Sequence, residues 1–215
     1  MNSFEKIAKI LLDIKAVSLN AENPYHWVSG IIAPIYTDCR LIMGFPEERG
    51  IVIQEMEKVI KEKVSDNNSD NNIDVIAGVA TSGIPYASWL AGKMNKPLIY
   101  IRNAKKDHGK ENLIEGGLEK SKRVILIEDL VSTGGSSIRS IDAIREAGGI
   151  INNQVSIFTY ELDKSKQNFK KSGIKAYPLT NFSTLVKVAA ETGYLKPEEK
   201  ELVLAWKDDP DNWGR

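Results

Sequence analysis

The chain has 215 residues, with 29 basic and 29 acidic side chains and a single cysteine, Cys39. This length predicts one domain with at most a small appendage. The balanced charge argues against a nucleic-acid binder, and one cysteine cannot form an internal disulfide. No stretch approaches the roughly eighteen apolar residues of a membrane-spanning helix. We therefore expect a cytoplasmic protein with neither a nucleic-acid nor a membrane partner.

The first fifty residues predict one helix followed by loops and short strands. Within residues 4–15, the apolar side chains of Phe4, Ile7, Leu11 and Ile14 recur on one helical stripe. Residues 23–49 hold three prolines and two glycines between short β-rich runs, a pattern typical of loops and short strands. An amphipathic helix is expected at 51–64, and the polar run at 65–72 is expected to be a surface loop.

From residue 73 onward, apolar strands alternate with helices. The alternation predicts an α/β fold with a parallel sheet that is covered on both faces. Residues 103–119 interrupt it, and loops of that length are usually functional or disordered. Strands are expected at 73–80, 97–102, 123–129, 154–160 and 175–180, helices at 84–94, 136–149 and 162–173, and two C-terminal helices starting near Asn181 or Ser183 and near Pro197.

A pair of carboxylates and a glycine turn follow the strand at 123–129. Glu128 and Asp129 end the strand, and residues 132–136 (Ser-Thr-Gly-Gly-Ser, the glycine turn) open the next helix. The glycines allow a tight curl in which several amides can point at one phosphate, helped by the helix N-terminus. Carboxylates beside a phosphate suit a ligand that also carries sugar hydroxyls. The alternative is a plain strand-to-helix turn with two solvated acids.

Two further segments could bind anions. Thr81, Ser82 and Gly83 (the upstream turn) end the preceding strand, and ligands of such sheets bind at the carboxyl ends of the strands. Two phosphate-type turns on one sheet indicate a ligand with phosphates at two positions. Within 102–111, four basic and two acidic side chains give an excess of two positive charges. This segment is either a solvated loop or a flap that closes over a polyanion.

Several motifs together resemble one family. EDLVSTGGSS after an apolar strand resembles the phosphoribosyl pyrophosphate (PRPP) signature of type I phosphoribosyltransferases. YIRNAKKDHGKENLIEGG resembles the mobile loop of orotate phosphoribosyltransferases, and VSGIIAPIYTDCRL resembles their N-terminal hood. With ATSGIPYASWLA and the C-terminal segment, the likeness spans nearly the whole chain. It implies a type I phosphoribosyltransferase-like parallel sheet flanked by helices, with a small N-terminal hood. Residues 1–50 would form the first helix and the hood, and residues 51–215 would form the PRPP-binding α/β core with the C-terminal helices.

The resemblance also implies an activity and roles for residues. The reaction would transfer ribose 5-phosphate from PRPP to orotate, giving orotidine 5′-monophosphate and pyrophosphate in UMP biosynthesis. Magnesium would be held mainly through PRPP and water, with no direct protein ligand. A homodimer is implied, in which loop 103–119 completes the neighbouring site. The implied roles are catalysis by Lys106, His108 and Asp129; PRPP binding by Arg102, Lys106, His108, Glu128, Asp129, Leu130, Val131, Ser132, Thr133, Gly134, Gly135 and Ser136; pyrophosphate contact by Thr81, Ser82 and Gly83; and orotate contact by Ser132.

Other readings stay open at this point. A purine phosphoribosyltransferase or a PRPP-sensing regulator without catalysis would share the glycine turn. The hood has Ile31 and Ile32 where family members often carry a lysine that contacts PRPP. The residue that would anchor orotate is also open. No arginine follows the strand at 154–160, where some members place one; Lys164 is the nearby cation. Trp206 and Trp213 could cover either the core or a partner.

Overall fold

The computed structural model describes residues 1–27, 30–64, 72–103 and 113–213. The N-terminal part contains α1 (Ser3–Asp13), β1 (Val17–Leu19), β2 (Tyr25–His26), β3 (Ile32–Ala33), β4 (Ile35–Thr37), a 3-10 helix (Cys39–Gly44) and α2 (Pro46–Val59), which continues as a π-helical turn (Ile60–Val64). The rest contains β5 (Val75–Val79), α3 (Gly83–Met94), β6 (Leu98–Ile101), β7 (Ile114–Glu115), β8 (Arg123–Val131), α4 (Gly135–Glu146), β9 (Ile150–Thr159), α5 (Asp163–Lys171), β10 (Lys175–Asn181), α6 (Phe182–Glu191), a 3-10 turn (Pro197–Glu199) and α7 (Lys200–Ala205).

The central sheet has the strand order β10-β9-β8-β5-β6-β7. The first five of these strands pair in parallel, and β7 is antiparallel at one edge. Each face of the sheet lies against its own hydrophobic cluster, with Ile76 and Ile125 on one side and Ala77 and Leu126 on the other. The predicted α/β fold with a mostly parallel, doubly covered sheet is confirmed.

Several element boundaries differ from the sequence-based expectation. The stretch 103–119 is not entirely without regular structure, because Ile114 and Glu115 pair with the end of β6. A two-residue strand is too short to show a hydrophobic period. Helix α2 begins at Pro46 rather than at residue 51, since proline suits the first helical position. Most of the expected polar loop, residues 65–71, lies outside the described residues.

The hood consists of two small antiparallel pairs, β1 with β4 and β2 with β3, followed by the 3-10 helix. The 3-10 helix packs against β8, and the Tyr86 hydroxyl of α3 donates a hydrogen bond of 2.5 Å to the carbonyl of Cys39. Helix α1 packs on α6 and β10. The expected boundary between the N-terminal part and the PRPP-binding core, between residues 50 and 51, falls inside α2. This division of the chain stays a prediction.

No helix among the described residues is long and apolar enough to cross a membrane.

Candidate active site at the carboxyl edge of the sheet

The two predicted turns lie side by side at the carboxyl edge of the sheet. β5 and β8 are neighbours, with Gly78 opposite Ile127, so the segments that follow them leave the sheet at the same edge. The approach is closest at Gly83, where a Cβ atom would lie 2.6 Å from the Ile127 carbonyl oxygen. The upstream turn therefore contacts the strand that carries the carboxylates, and only glycine fits at its end.

The carboxyl pair lies where β8 reaches this edge. Glu128 is buried, and it accepts hydrogen bonds from the Ser136 hydroxyl at 3.1 Å and from the Asp129 amide at 3.3 Å. Burial raises the pKa of Glu128 well above its ordinary value, and the adjacent charge of Asp129 raises it further. Burial also raises the pKa of Asp129, while its hydrogen bond with the Glu128 side chain and, less strongly, the charge of Arg40 oppose that shift. Glu128 is the more buried of the two, so it keeps its proton to a higher pH than Asp129 does.

The glycine turn has the conformation that its sequence predicts. Leu130 and Val131 end β8, and Gly134 has a left-handed backbone (φ 77°) immediately before α4 begins at Gly135. The first amides of a helix have no partner within the helix, so those of the first turn of α4 are available to an anion. A Cβ atom at Gly134 would lie 3.2 Å from the Phe169 ring, so that ring would have to move slightly to admit a side chain.

Helix α5 supports the glycine turn. The sequence analysis located the turn but not this support. The Asn168 side-chain amide donates a hydrogen bond of 2.9 Å to the Thr133 carbonyl, and Phe169 packs below Gly134. These residues lie 35 positions from the turn, and nothing in their local pattern distinguishes them from an ordinary amphipathic helix. Only the three-dimensional structure identifies them.

The hood brings a cation towards the carboxyl pair. Arg40 donates two hydrogen bonds to Asp38, at 2.6 Å and 2.9 Å, which lower the pKa of Asp38 and raise that of Arg40. Arg40 also interacts electrostatically with Asp129. Cys39, which lies between Asp38 and Arg40 in the chain, is 1% exposed, and burial raises the pKa of its thiol. The sequence marked this segment only as part of the hood.

Arg102 follows β6 at the same edge of the sheet, next to the upstream turn. The Ala80 amide bonds the Ile101 carbonyl at 2.9 Å, which brings the start of that turn beside Arg102. Arg102 Nη1 is buried, lies 3.7 Å from a Glu115 oxygen, and has no hydrogen-bond partner within the described part of the chain.

Of the sequence-predicted residues, the structure therefore brings together the upstream turn, Arg102, the carboxyl pair and the glycine turn. Lys106 and His108 lie outside the described residues.

A family model described as a phosphoribosyl transferase domain matches residues 50–186. It covers both turns, the carboxyl pair and the segment between them, which is more than half of the chain. The match begins at residue 50, so the hood lies outside it.

Curated and solved proteins agree with this match. An orotate phosphoribosyltransferase of Coxiella burnetii is 42% identical over 213 residues, covering 99% of each chain. The solved UMP synthase of Leishmania donovani superposes with a TM-score of 0.79 at 27% identity, covering 96% of this chain and 42% of that longer one. A Mycobacterium tuberculosis orotate phosphoribosyltransferase solved with PRPP has a TM-score of 0.64 at 17% identity, covering 86% of this chain and 99% of that chain, and shows likeness of fold.

Proposed function

The chain belongs to the orotate phosphoribosyltransferase family, and from that premise we propose that it transfers ribose 5-phosphate from PRPP to orotate, yielding orotidine 5′-monophosphate and pyrophosphate. The observation that carries the proposal is the carboxyl edge of the sheet. There a carboxyl pair, a left-handed glycine turn and a second small-residue turn meet within contact distance. A ligand with two phosphate positions and sugar hydroxyls matches this arrangement.

We propose that the glycine turn binds the 5-phosphate of PRPP. The amides that open α4 point away from the helix and have no internal partner, so they can donate to phosphate oxygens. The hydroxyls of Ser132 and Thr133 add donors, and Ser136 contributes its backbone amide, since its hydroxyl donates to Glu128. Asp129 then accepts hydrogen bonds from the ribose hydroxyls, and Glu128 holds Ser136 by accepting the hydrogen bond of its hydroxyl.

The departing pyrophosphate needs positive charge and donors. Loss of pyrophosphate builds negative charge on the leaving group and positive charge on the anomeric carbon, so fixed cations over the leaving group lower the barrier. The upstream turn and Arg102 lie next to each other at the carboxyl edge and are proposed to contact the pyrophosphate. Lys106 and His108 are proposed to reach the pyrophosphate from the neighbouring subunit. Loop 103–119 would exclude water from the activated sugar.

Magnesium is proposed to enter with PRPP. The described residues contain no group of three or more histidines, cysteines or carboxylates that could hold a metal ion. Magnesium commonly binds through substrate phosphates and water, an arrangement that needs no direct protein ligand. When bound, the ion would neutralise charge on the pyrophosphate.

The assembly and location are also proposals. We propose a homodimer in which loop 103–119 completes the neighbouring site, as the family resemblance implies. We propose a cytoplasmic location, supported by the single buried cysteine, Cys39.

The test is a substrate comparison with purified protein. With PRPP and magnesium, orotate absorbance should fall as product forms, whereas adenine or hypoxanthine in its place should give no nucleotide. Turnover with a purine base but none with orotate would assign a purine enzyme. PRPP binding without turnover of any base would favour the sensing regulator.

A further inference from the structure

Trp206 joins the hood to the end of the strand that leads into the glycine turn. It directly follows α7 and is fully buried, although it comes from the C-terminal segment of the chain. Its indole N–H donates a hydrogen bond of 3.1 Å to the Ile32 carbonyl in the hood strand β3. The C-terminal segment is thus bonded directly to the backbone of the hood.

The ring of Trp206 also lies at the centre of an aromatic cluster. Its centroid is 5.5 Å from that of Trp27 in the hood, 5.6 Å from that of Tyr160 after β9, and 5.2 Å from that of Phe182 at the start of α6. Trp27 in turn contacts Tyr160 at 4.9 Å, and its own indole N–H bonds the Ile35 carbonyl at 3.3 Å. The aromatic cluster therefore bonds to both strand pairs of the hood, to β3 through Trp206 and to β4 through Trp27.

Tyr160 connects this cluster to the proposed substrate site. Its backbone amide donates a hydrogen bond of 3.1 Å to the carbonyl of Val131, the last residue of β8. Ser132, the first residue of the glycine turn, comes next in the chain. A continuous path of contacts thus runs from the hood through Trp206 and Tyr160 to the start of the turn.

We propose that Trp206 is a positioning residue that sets the distance between the hood and the Val131–Ser132 end of β8, and with it the space for the base. This inference rests on the proposed function, in which Ser132 contacts orotate. The phosphate amides of α4 and their support from α5 do not involve the cluster. Loss of the Trp206 anchor should therefore weaken base binding much more than PRPP binding.

The experiment compares Trp206→Phe with Trp213→Phe. Trp206→Phe keeps an aromatic ring and removes the N–H that bonds Ile32. Trp213→Phe removes a similar bond, from the indole N–H to the Leu202 carbonyl at 3.0 Å, which lies within the C-terminal segment and does not reach the hood. Both proteins are first compared with wild type by thermal unfolding, so that a general loss of stability is recognised.

Two measurements decide the outcome. A neutral hydrogen bond contributes about 0.5–1.5 kcal/mol, so Trp206→Phe should raise the KM for orotate roughly 2- to 10-fold, with a clearly smaller rise in the KM for PRPP. Hydrogen exchange in a peptide covering β2 and β3, which includes the Trp27 amide bonded to the Ile31 carbonyl, should accelerate in this variant. Trp213→Phe should match wild type in both measurements.

Three results would overturn the proposal: unchanged hood exchange, equal rises in both KM values, or the same changes in Trp213→Phe. If Trp206→Phe does not fold, Trp27→Phe decides by the same criteria, since it removes the N–H to Ile35 from the hood side of the cluster. If wild type does not turn over orotate, the proposed function fails, and the exchange comparison still decides whether Trp206 holds the hood.

Discussion

Gly83 shows how closely the two halves of the candidate site approach each other. A methyl group there would lie 2.6 Å from the Ile127 carbonyl oxygen, which is backbone and cannot move aside as a side chain could. We predict that Gly83→Ala displaces the upstream turn, destabilises the protein by roughly 1–3 kcal/mol, and lowers PRPP affinity. Chemical denaturation and isothermal titration calorimetry with PRPP measure the two effects.

Gly92 is the matched control for this prediction, because it lies in the same helix and a Cβ atom there would meet no atom within 4 Å. Gly92→Ala should leave PRPP affinity unchanged and raise stability by about 0.4–1 kcal/mol, since alanine restricts the unfolded chain more than glycine does. Equal effects of the two substitutions would show that the contact with Ile127 is unimportant.

Glu128 should make stability depend on pH in a defined direction. Its pKa is raised in the folded protein, so the unfolded chain loses this proton first as the pH rises above the ordinary value of 4.5. Glu128 stabilises the folded protein because it binds its proton more tightly there than in the unfolded chain. This stabilisation is complete below about pH 4.5 and is lost as the pH rises through the pKa of the folded state. Glu128→Gln cannot ionise, so we predict that it gains stability relative to wild type between about pH 5 and 8.

Urea denaturation at several pH values measures this difference. The same substitution at Glu119, whose side chain is 81% exposed, controls for the removal of a surface carboxylate. A difference between Glu128→Gln and wild type that stays constant across the range would mean that Glu128 is ionised in the folded protein throughout.

Residue identity and order were enough to locate the carboxyl pair and both turns. Glu128, Asp129 and the two glycines lie within one stretch of eight residues, so their chemistry is visible without a structure. The electrostatic interaction of Arg40 with Asp129 and the position of Asn168 beneath Thr133 were not predictable, because each depends on how distant segments pack. The local sequence around these two residues predicts only a hood and a helix.

At the scale of elements, α5 acts as a support for the glycine turn. The hydrogen bond from Asn168 to Thr133 holds the turn from below, and a released turn would have to be ordered by the ligand at a cost in affinity. One neutral hydrogen bond contributes about 0.5–1.5 kcal/mol, so we predict that Asn168→Ala raises the KM for PRPP roughly 2- to 10-fold. Steady-state kinetics at saturating orotate measure this change.

Gln167 provides the control in the same helix, because its side chain is exposed and makes no hydrogen bond in the described structure. Gln167→Ala should leave the KM for PRPP at the wild-type value. A similar rise in both variants would point to a change in helix α5 as a whole and would remove the specific role of Asn168.

The order and type of the main elements followed from hydrophobic periodicity, whereas several of their ends did not. The strands β5 and β6 are apolar, β8 has an apolar run from Val124 to Ile127, and all three were predicted within two residues. β9 begins four residues earlier than expected, at Ile150, because three consecutive polar residues, at 152–154, interrupt its apolar pattern. The short strand β7 is defined by its pairing with β6 alone, and pairing partners cannot be read from local sequence.

For the whole molecule, the proposed dimer gives a test through subunit mixing. Lys106→Ala should inactivate the site that its loop completes, and Asp129→Asn should inactivate the site in its own subunit. A mixed dimer of these variants contains one site with an intact Asp129 and an intact Lys106. Random exchange in a twofold dimer should therefore restore about a quarter of wild-type activity from two nearly inactive proteins.

The control mixture combines Lys106→Ala with His108→Ala. Both changes lie on the same loop, so every mixed dimer keeps one altered loop at each site, and no activity should return. Recovery in the first mixture alone would show that loop and carboxylate come from different subunits, because only then does mixing separate the two defects. If the first mixture stays inactive after subunit exchange is demonstrated with differently tagged chains, each site is completed by its own loop.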